Sequence, residues 1–246
     1  MINLVLSPSQ QSNNECLHGD SEEDHMYDIA LEVYKILEEY PELNILLIPK
    51  TTTSLADSVN ISNQFIIKNG GTGYHLELHS DAGNYATGAT GIYYSPNGKD
   101  FITPIYEEMR KITPWSDVGI VRRIDLYALK HTIAVAGLIE ISFHDSKKES
   151  DWIHNNMNLI SRSLAIGTCK ALGVNPRTLV LPVLAFGATG ESVSYLQKEL
   201  NNMKYVLEVD GVFGMKTQRA VLQFQKSSGL ISDGVVGVKT WGKLGV

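Results

Sequence analysis

The chain has 246 residues, 43% hydrophobic and 20% charged, with 21 Gly and 8 Pro, which describes globular material long enough for one large domain or two unequal ones rather than a disordered or collagen-like chain. The formal net charge of −6 and the lack of any Lys/Arg block exclude the basic footprint of a nucleic-acid or membrane-surface binder. No apolar run approaches the roughly 18 residues that a membrane span needs, and Met1–Pro8 lacks the basic start of a signal peptide, so the sequence predicts a protein made in the cytoplasm without membrane insertion.

Short apolar runs at Ile2–Leu6, Asn44–Ile48, Gly73–His79, Gly91–Tyr94 and Ile133–Glu140 read as strands, several of them continuously apolar as strands covered on both faces are. Between them, Glu22–Glu39 repeats Met26, Ile29, Val33, Ile36 and Leu37 at helical period behind Ser21 as an N-cap. Leu55–Ile67, Ile102–Ile112 and Trp152–Leu172 follow the same pattern, whereas Ile124–Leu129 reads as strand-like. The alternation predicts an α/β domain with a mostly parallel sheet flanked by helices. Cys16 and Cys169 lie far apart and outside any Cys-x-x-Cys pair, so both are expected as reduced thiols.

Gly173, Pro176, Pro182, Gly187 and Gly190 break the pattern, and the charge changes there. Residues 1–180 carry 14 Lys+Arg against 22 Asp+Glu, and residues 181–246 carry 7 against 5. The division expected is a domain over 1–175, a linker over 176–180 and a second domain over 181–246. Within the latter, Asp210-Gly211-Val212-Phe213-Gly214-Met215-Lys216-Thr217 recurs as Asp233-Gly234-Val235-Val236-Gly237-Val238-Lys239-Thr240. Each copy is a Gly-rich turn opening a helical pattern, and the whole predicts a small all-α helical bundle.

Open α/β sheets bind ligands outside the carboxyl ends of their strands, which singles out polar residues just after apolar runs. His79 ends one strand, Glu140 ends another, and Glu22 opens the first long helix. Each has a bland reading: strand-end hydrogen bonding for the His, or complement to the helix macrodipole for Glu22. Together they are the parts of a catalytic zinc site with a general base. His75, Glu77 and His79 alternate along a strand and share a face, which gives His75 a supporting or structural role.

Five segments in order, Leu6–Asn14, Ser21–Ala30, Glu77–Gly83, Arg122–Leu129 and Leu138–Asp145, resemble the zinc-dependent N-acetylmuramoyl-L-alanine amidases of the Amidase_3 family, found in cell-wall hydrolases and phage endolysins. The resemblance implies that Glu22 and His79 bind zinc and that Glu140 is the catalytic carboxylate. The family's usual first ligand is a His after the first strand, and here that turn reads Ser7-Pro8-Ser9-Gln10-Gln11. His144 is the leading candidate for the third imidazole, ahead of Gln10, Gln11, His18 and His25, since zinc prefers imidazole to amide oxygen. Its bland reading is a loop His bonded to Asp145 or Asp151. Arg122 and Arg123 border the substrate groove in the resembling enzymes and could pair with a peptide carboxylate, or be a solvated surface pair.

Residues 181–246 resemble the PG_binding_1 peptidoglycan-binding domain through Gly187–Val193, Leu196-Gln197, both Asp-Gly-Val repeats, Phe224-Gln225 and Thr240-Trp241. Tethering to an insoluble wall polymer is its implied role. Phe224 and Trp241 are expected in its core, and Tyr195, Tyr205 and Phe213 are candidates for exposed contact. The resemblance as a whole implies a monomeric, endolysin-like zinc amidase acting on peptidoglycan after release from the cell, or else an autolysin. The rival readings are an inactive wall-binding protein and a zinc peptidase of the stem peptide.

Overall fold

The computed structural model describes residues 1–12, 14, 16, 21–52, 54–83, 87–116, 118–176 and 182–244. The chain forms two compact units, Met1–Pro176 and Arg177–Val246. Residues 177–181, which include most of the expected linker, lie outside the described residues.

The first unit is built on a six-stranded sheet of order β2-β1-β3-β6-β4-β5, with β1 Ile2–Pro8, β2 Leu43–Leu47, β3 Gly73–Asp81, β4 Thr90–Tyr93, β5 Gly119–Arg122 and β6 Val135–Phe143. Every neighbouring pair is parallel except β4 with β6. Helices α1 Glu22–Leu37, α2 Leu55–Asn69, α3 Pro96–Arg110, α4 Tyr127–His131, α5 Lys147–Asn155 and α6 Met157–Ala171 surround it. The amphipathic stripe of α1 buries Met26, Ile29, Ala30, Val33 and Leu37 as its period requires. Val5 packs with Ile66 of α2 on the other face.

Three expectations need correction. Trp152–Leu172 is not one helix: α5 and α6 are separated at Asn156, whose Nδ2 donates to the Trp152 carbonyl at 2.8 Å and so competes with the helical ladder. The strand here is Gly119–Arg122, which ends on the first of the two arginines, while strand-like Ile124–Leu129 runs into α4, which buries only Ala128 and Leu129. Helix α3 starts six residues before Ile102 because Ser95 accepts from the Gly98 amide and Pro96 sits where a helix tolerates it.

The second unit holds α7 Glu191–Asn202, α8 Met215–Ser227 and α9 Val238–Leu244 around Val193, Leu196, Leu200, Phe213, Val221, Phe224 and Trp241. Phe224 and Trp241 are core. Phe213 is 0% exposed and so is core as well, which corrects its reading as a contact residue. Tyr195 stacks on Trp241, and Tyr205 packs half-buried on the core. Gln197 of α7 ties down the first repeat loop, with Nε2 donating to Asp210 Oδ1, the Val212 carbonyl and Thr217 Oγ1, and Oε1 accepting from the Gly211 amide. Gln225 of α8 does the same with Asp233, Val235, Thr240 and Gly234. The sequence repeat is thus a repeated clamp.

Candidate active site

Strands β1, β3 and β6 are neighbours, and the chain leaves β1 for β2 on one side before returning to β3 on the other. The crevice outside their carboxyl ends lies at a reversal of strand order, where open sheets bind ligands. Helix α1 enters this crevice through a capping box: Ser21 Oγ accepts from the Asp24 amide while Asp24 accepts from the Ser21 amide, both at 3.1 Å. Glu22, the first helical residue, is thereby fixed with its carboxylate at the positive end of the helix.

His75, Glu77 and His79 alternate onto the α2 face of β3 and are all buried. They form one connected chain. Ser62 Oγ of α2 is 2.9 Å from His75 Nδ1, and His75 Nε2 bonds Glu77 Oε1. Glu77 Oε2 is 3.2 Å from His79 Nε2, and His79 Nδ1 is 3.1 Å from Glu22 Oε1. Glu22 also accepts from the Ser80 amide at 3.2 Å and from Asn14 Nδ2 at 2.9 Å. Burial opposes the Glu77 charge, but the bonds from His75 and His79 outweigh it and hold the carboxyl at about 2. Burial likewise opposes the His79 charge, and the bonds to Glu22 and Glu77 outweigh it and raise the imidazole well above its ordinary value. Glu22 is lowered against its burial, chiefly by His79.

Glu140 pairs with His79 across β3 and β6, so the two side chains leave the sheet on the same face. Its Oε2 is buried without a hydrogen-bond partner among the described residues. Burial pushes this carboxyl up to about 7, with the charge on His79 opposing and those on Asp81 and Glu22 reinforcing. Glu22, His79 and Glu140 are therefore brought together at one end of the sheet.

His144 makes no hydrogen bond to Glu22, His79 or Glu140 among the described residues. Between His79/Glu140 and Asp81/Phe143 the strand β6 carries one extra residue, a bulge that reverses the alternation beyond it. His144 accordingly goes with Ser80, its Nδ1 lying 2.8 Å from the Ser80 carbonyl and 3.1 Å from Ser80 Oγ, so its bonds are to neither Asp145 nor Asp151. The bulge itself is held by Glu149 of α5, whose Oε2 accepts from the Gly88 and Phe143 amides and from Ser142 Oγ.

Of the other candidates, Gln10 donates to Ser58 Oγ of α2, and its buried Oε1 has no hydrogen-bond partner among the described residues. Gln11 accepts from Asn14 at 2.8 Å near the surface. His25 is buried on α1 with its ring 5.8 Å from that of His154. His18 lies outside the described residues. Arg123 is exposed and forks onto Asp125 at 2.8 and 2.6 Å, while Arg122 donates to the Tyr94 carbonyl at 3.2 Å. Cys16 and Cys169 are both buried and are not joined in a disulfide.

Zinc is the metal to test against these donors. Two ligands on one tetrahedral zinc, each bonded at about 2.0–2.1 Å, stand about 3.4 Å apart. Glu22 Oε1 and His79 Nδ1 stand at a hydrogen-bond distance of 3.1 Å, which a shared zinc ion would widen only slightly, and the carboxylate on Nε2 of His79 is the outer partner that ligating histidines have. The donor chemistry fits zinc at these two positions. Among the described residues, no three His, Cys, Asp or Glu side chains converge closely enough to hold an ion. Glu77, Asn14, Ser80 and Glu149 were missed as supporting residues. Only Glu77 had a signal, its alternation with His79.

Residues 9–172 match the family model described as N-acetylmuramoyl-L-alanine amidase, and residues 189–244 match one described as a peptidoglycan binding domain. Among solved structures, the catalytic domain of CwlV, an N-acetylmuramoyl-L-alanine amidase from Paenibacillus polymyxa, is 18% identical with a TM-score of 0.62, over 71% of this chain and 99% of that one. A spore cortex-lytic enzyme of Bacillus cereus is 48% identical over 59 residues, 24% of this chain and 23% of that protein. An "Uncharacterized protein in bpoA1 3'region" of Kitasatospora aureofaciens is 48% identical over 65 residues, 26% of this chain. This chain thus spans 55% of the Kitasatospora protein and less than a quarter of the Bacillus one. With a model matched over two thirds of its length and the fold of the solved amidases, the chain belongs to the N-acetylmuramoyl-L-alanine amidase family, and it carries a peptidoglycan-binding domain behind that region.

Proposed function

We propose that the protein hydrolyses the amide joining the lactyl group of N-acetylmuramic acid to L-alanine in bacterial peptidoglycan. The observation that carries this reading is the buried, unpartnered Glu140 Oε2 on the same face as the Glu22–His79 pair. Such a carboxylate can take a proton from an attacking water and return it to the departing amine, a transfer that contributes about 10²–10⁴-fold to rate. Glu22 and His79 would hold the zinc ion. His144, anchored through Nδ1 and with Nε2 as its remaining donor, is the candidate for the third position, and the buried amide oxygen of Gln10 is the alternative. Bound zinc would supply charge stabilisation for the developing oxyanion and acidify the water. Glu77 keeps His79 turned toward Glu22. Arg123, whose charge is felt at Glu140, and its neighbour Arg122 would border the peptide side of the groove.

The division into a catalytic domain over 1–175, a linker over 176–180 and a wall-binding domain over 181–246 is part of this proposal. One catalytic domain followed by one wall-binding module suits an endolysin that acts on the wall after release, and no helix among the described residues is long and apolar enough to cross a membrane. A second reading is a wall-binding protein on an amidase scaffold without metal, since Ser7-Pro8-Ser9-Gln10-Gln11 stands where a first ligating His would be expected. Replacing Glu140 by Gln separates the two. On the amidase reading E140Q keeps the fold and zinc content of the wild type and loses about 10²–10⁴ in turnover. Undiminished turnover in E140Q would remove Glu140 from the reaction.

A further inference from the structure

The two clamps of the second unit are built alike but enclose different things. Gln197 and Asp210 are 13 positions apart, whereas Gln225 and Asp233 are 8 apart. The first loop uses its extra length to lay chain against the core. Tyr205 and Leu207 pack there, and Asn201 grips the backbone of Leu207 from both sides, its Nδ2 donating to the carbonyl at 2.9 Å and its Oδ1 accepting from the amide at 2.8 Å.

In the second clamp the residue four positions after the Gln is Gly229 instead of Asn201, and the chain turns back early through Leu230 and Ile231. A cavity of about 470 Å3 opens beside it, lined by Gln225, Gly229, Leu230, Ile231, Val235 and Thr240, with Asp233 and Lys239 also on its wall. That volume is in the range of about 300–1,000 Å3 typical of ligand sites. Ile231 is 83% exposed, an apolar side chain left in water beside an empty groove.

We propose that this cavity binds a short extended peptide, the stem peptide of the cell wall, in the place that residues 205–208 of the chain itself occupy in the first repeat. The first loop shows peptide held beside such a clamp, with the Leu207 backbone gripped by Asn201 and the side chains of Tyr205 and Leu207 against the core. The wall of the cavity offers the same complement, branched aliphatic side chains from Leu230, Ile231 and Val235, and adds one carboxylate and one ammonium for a ligand that carries both charges. No aromatic residue lines it, so the flat hydrophobic platform on which a sugar ring would rest is missing. The proposal rests on the wall-binding reading of this module.

The test titrates the isotopically labelled full chain with the synthetic tripeptide L-alanyl-γ-D-glutamyl-L-lysine and, separately, with chitotriose, following backbone amide signals. The expected result is saturable shifts at Gly229, Gly234 and Gly237 with the tripeptide and none with chitotriose. K239A and I231A, both at exposed positions, weaken that binding by up to about fivefold each, the size of one exposed ion pair or contact. Shifts with chitotriose, no shifts at these glycines, or an unchanged Kd in both variants would overturn the assignment. Sedimentation of the full chain with purified walls tests the module reading separately: a chain that still sediments but ignores the tripeptide sinks only the cavity.

Discussion

Glu149 offers the sharpest test of how the site is held. Its side chain is 1% exposed, and one carboxylate oxygen accepts from the Gly88 amide at 3.1 Å, the Phe143 amide at 3.1 Å and Ser142 Oγ. These contacts tie α5 to the bulge that follows Glu140 and to the segment leading into β4. Replacing Glu149 by Ala leaves two backbone donors and a hydroxyl buried without their acceptor, at about 1–3 kcal/mol each where water cannot reach them. Water entering the vacated space relieves part of this, so the expected loss is about 3–4 kcal/mol. E149Q retains one acceptor oxygen and should lose about 1 kcal/mol. Urea unfolding followed by tryptophan fluorescence measures it, Trp115 and Trp152 being stacked edge to face in the first unit. At a slope of about 1–3 kcal/mol per molar urea, the midpoint of E149A falls by at least about 1 M at unchanged slope. A midpoint within experimental error of wild type would refute the clamp.

Three further outcomes follow from packing and charge. A Cβ on Gly167 would stand 2.6 Å from Ile105 Cα and 3.1 Å from the Pro104 carbonyl, so G167A must push α6 off α3 and should cost about 1–3 kcal/mol in a thermal melt. Burial pushes the Cys169 thiol from about 9 up to about 11. The folded chain therefore keeps a proton that the unfolded chain gives up. Stability from this group is intact below pH 9 and falls by about 2–3 kcal/mol as pH rises to 11; C169A should flatten that limb of the stability curve, and an unchanged limb would contradict it. Q197L leaves the buried Gly211 amide, and Q225L the buried Gly234 amide, without its acceptor, and each should lower the stability of the second unit by about 1–3 kcal/mol. An effect in only one of the two would show that the clamps are not equivalent.

The elements that sequence read well are those whose own period decides the matter. Strand β1 is buried on both faces and apolar through Leu4–Leu6, and α1 carries its stripe and its capping residues in plain order. The division of α5 from α6 was hidden because Asn156 interrupts the ladder through a side chain bond that hydrophobic spacing does not register. At the site, His79 and Glu140 were legible as polar ends of apolar runs and Glu22 as the opening residue of the first helix. The position of His144 was not, since a one-residue bulge decides its face and nothing in Ile-Ser-Phe-His announces a bulge. Phe213 went the same way: it follows a Gly-rich turn like a surface residue, but the Gln197 clamp folds that turn inward over the core.

The central claim is that the crevice at Glu22, His79 and Glu140 cleaves the lactyl–alanine amide. The direct measurement is digestion of purified peptidoglycan by the zinc-supplemented full chain, with newly exposed N-terminal L-alanine and newly exposed reducing sugar ends assayed separately. The account predicts free alanine amines without reducing ends. Wall binding without either product would contradict it and leave a binding protein built on an amidase fold.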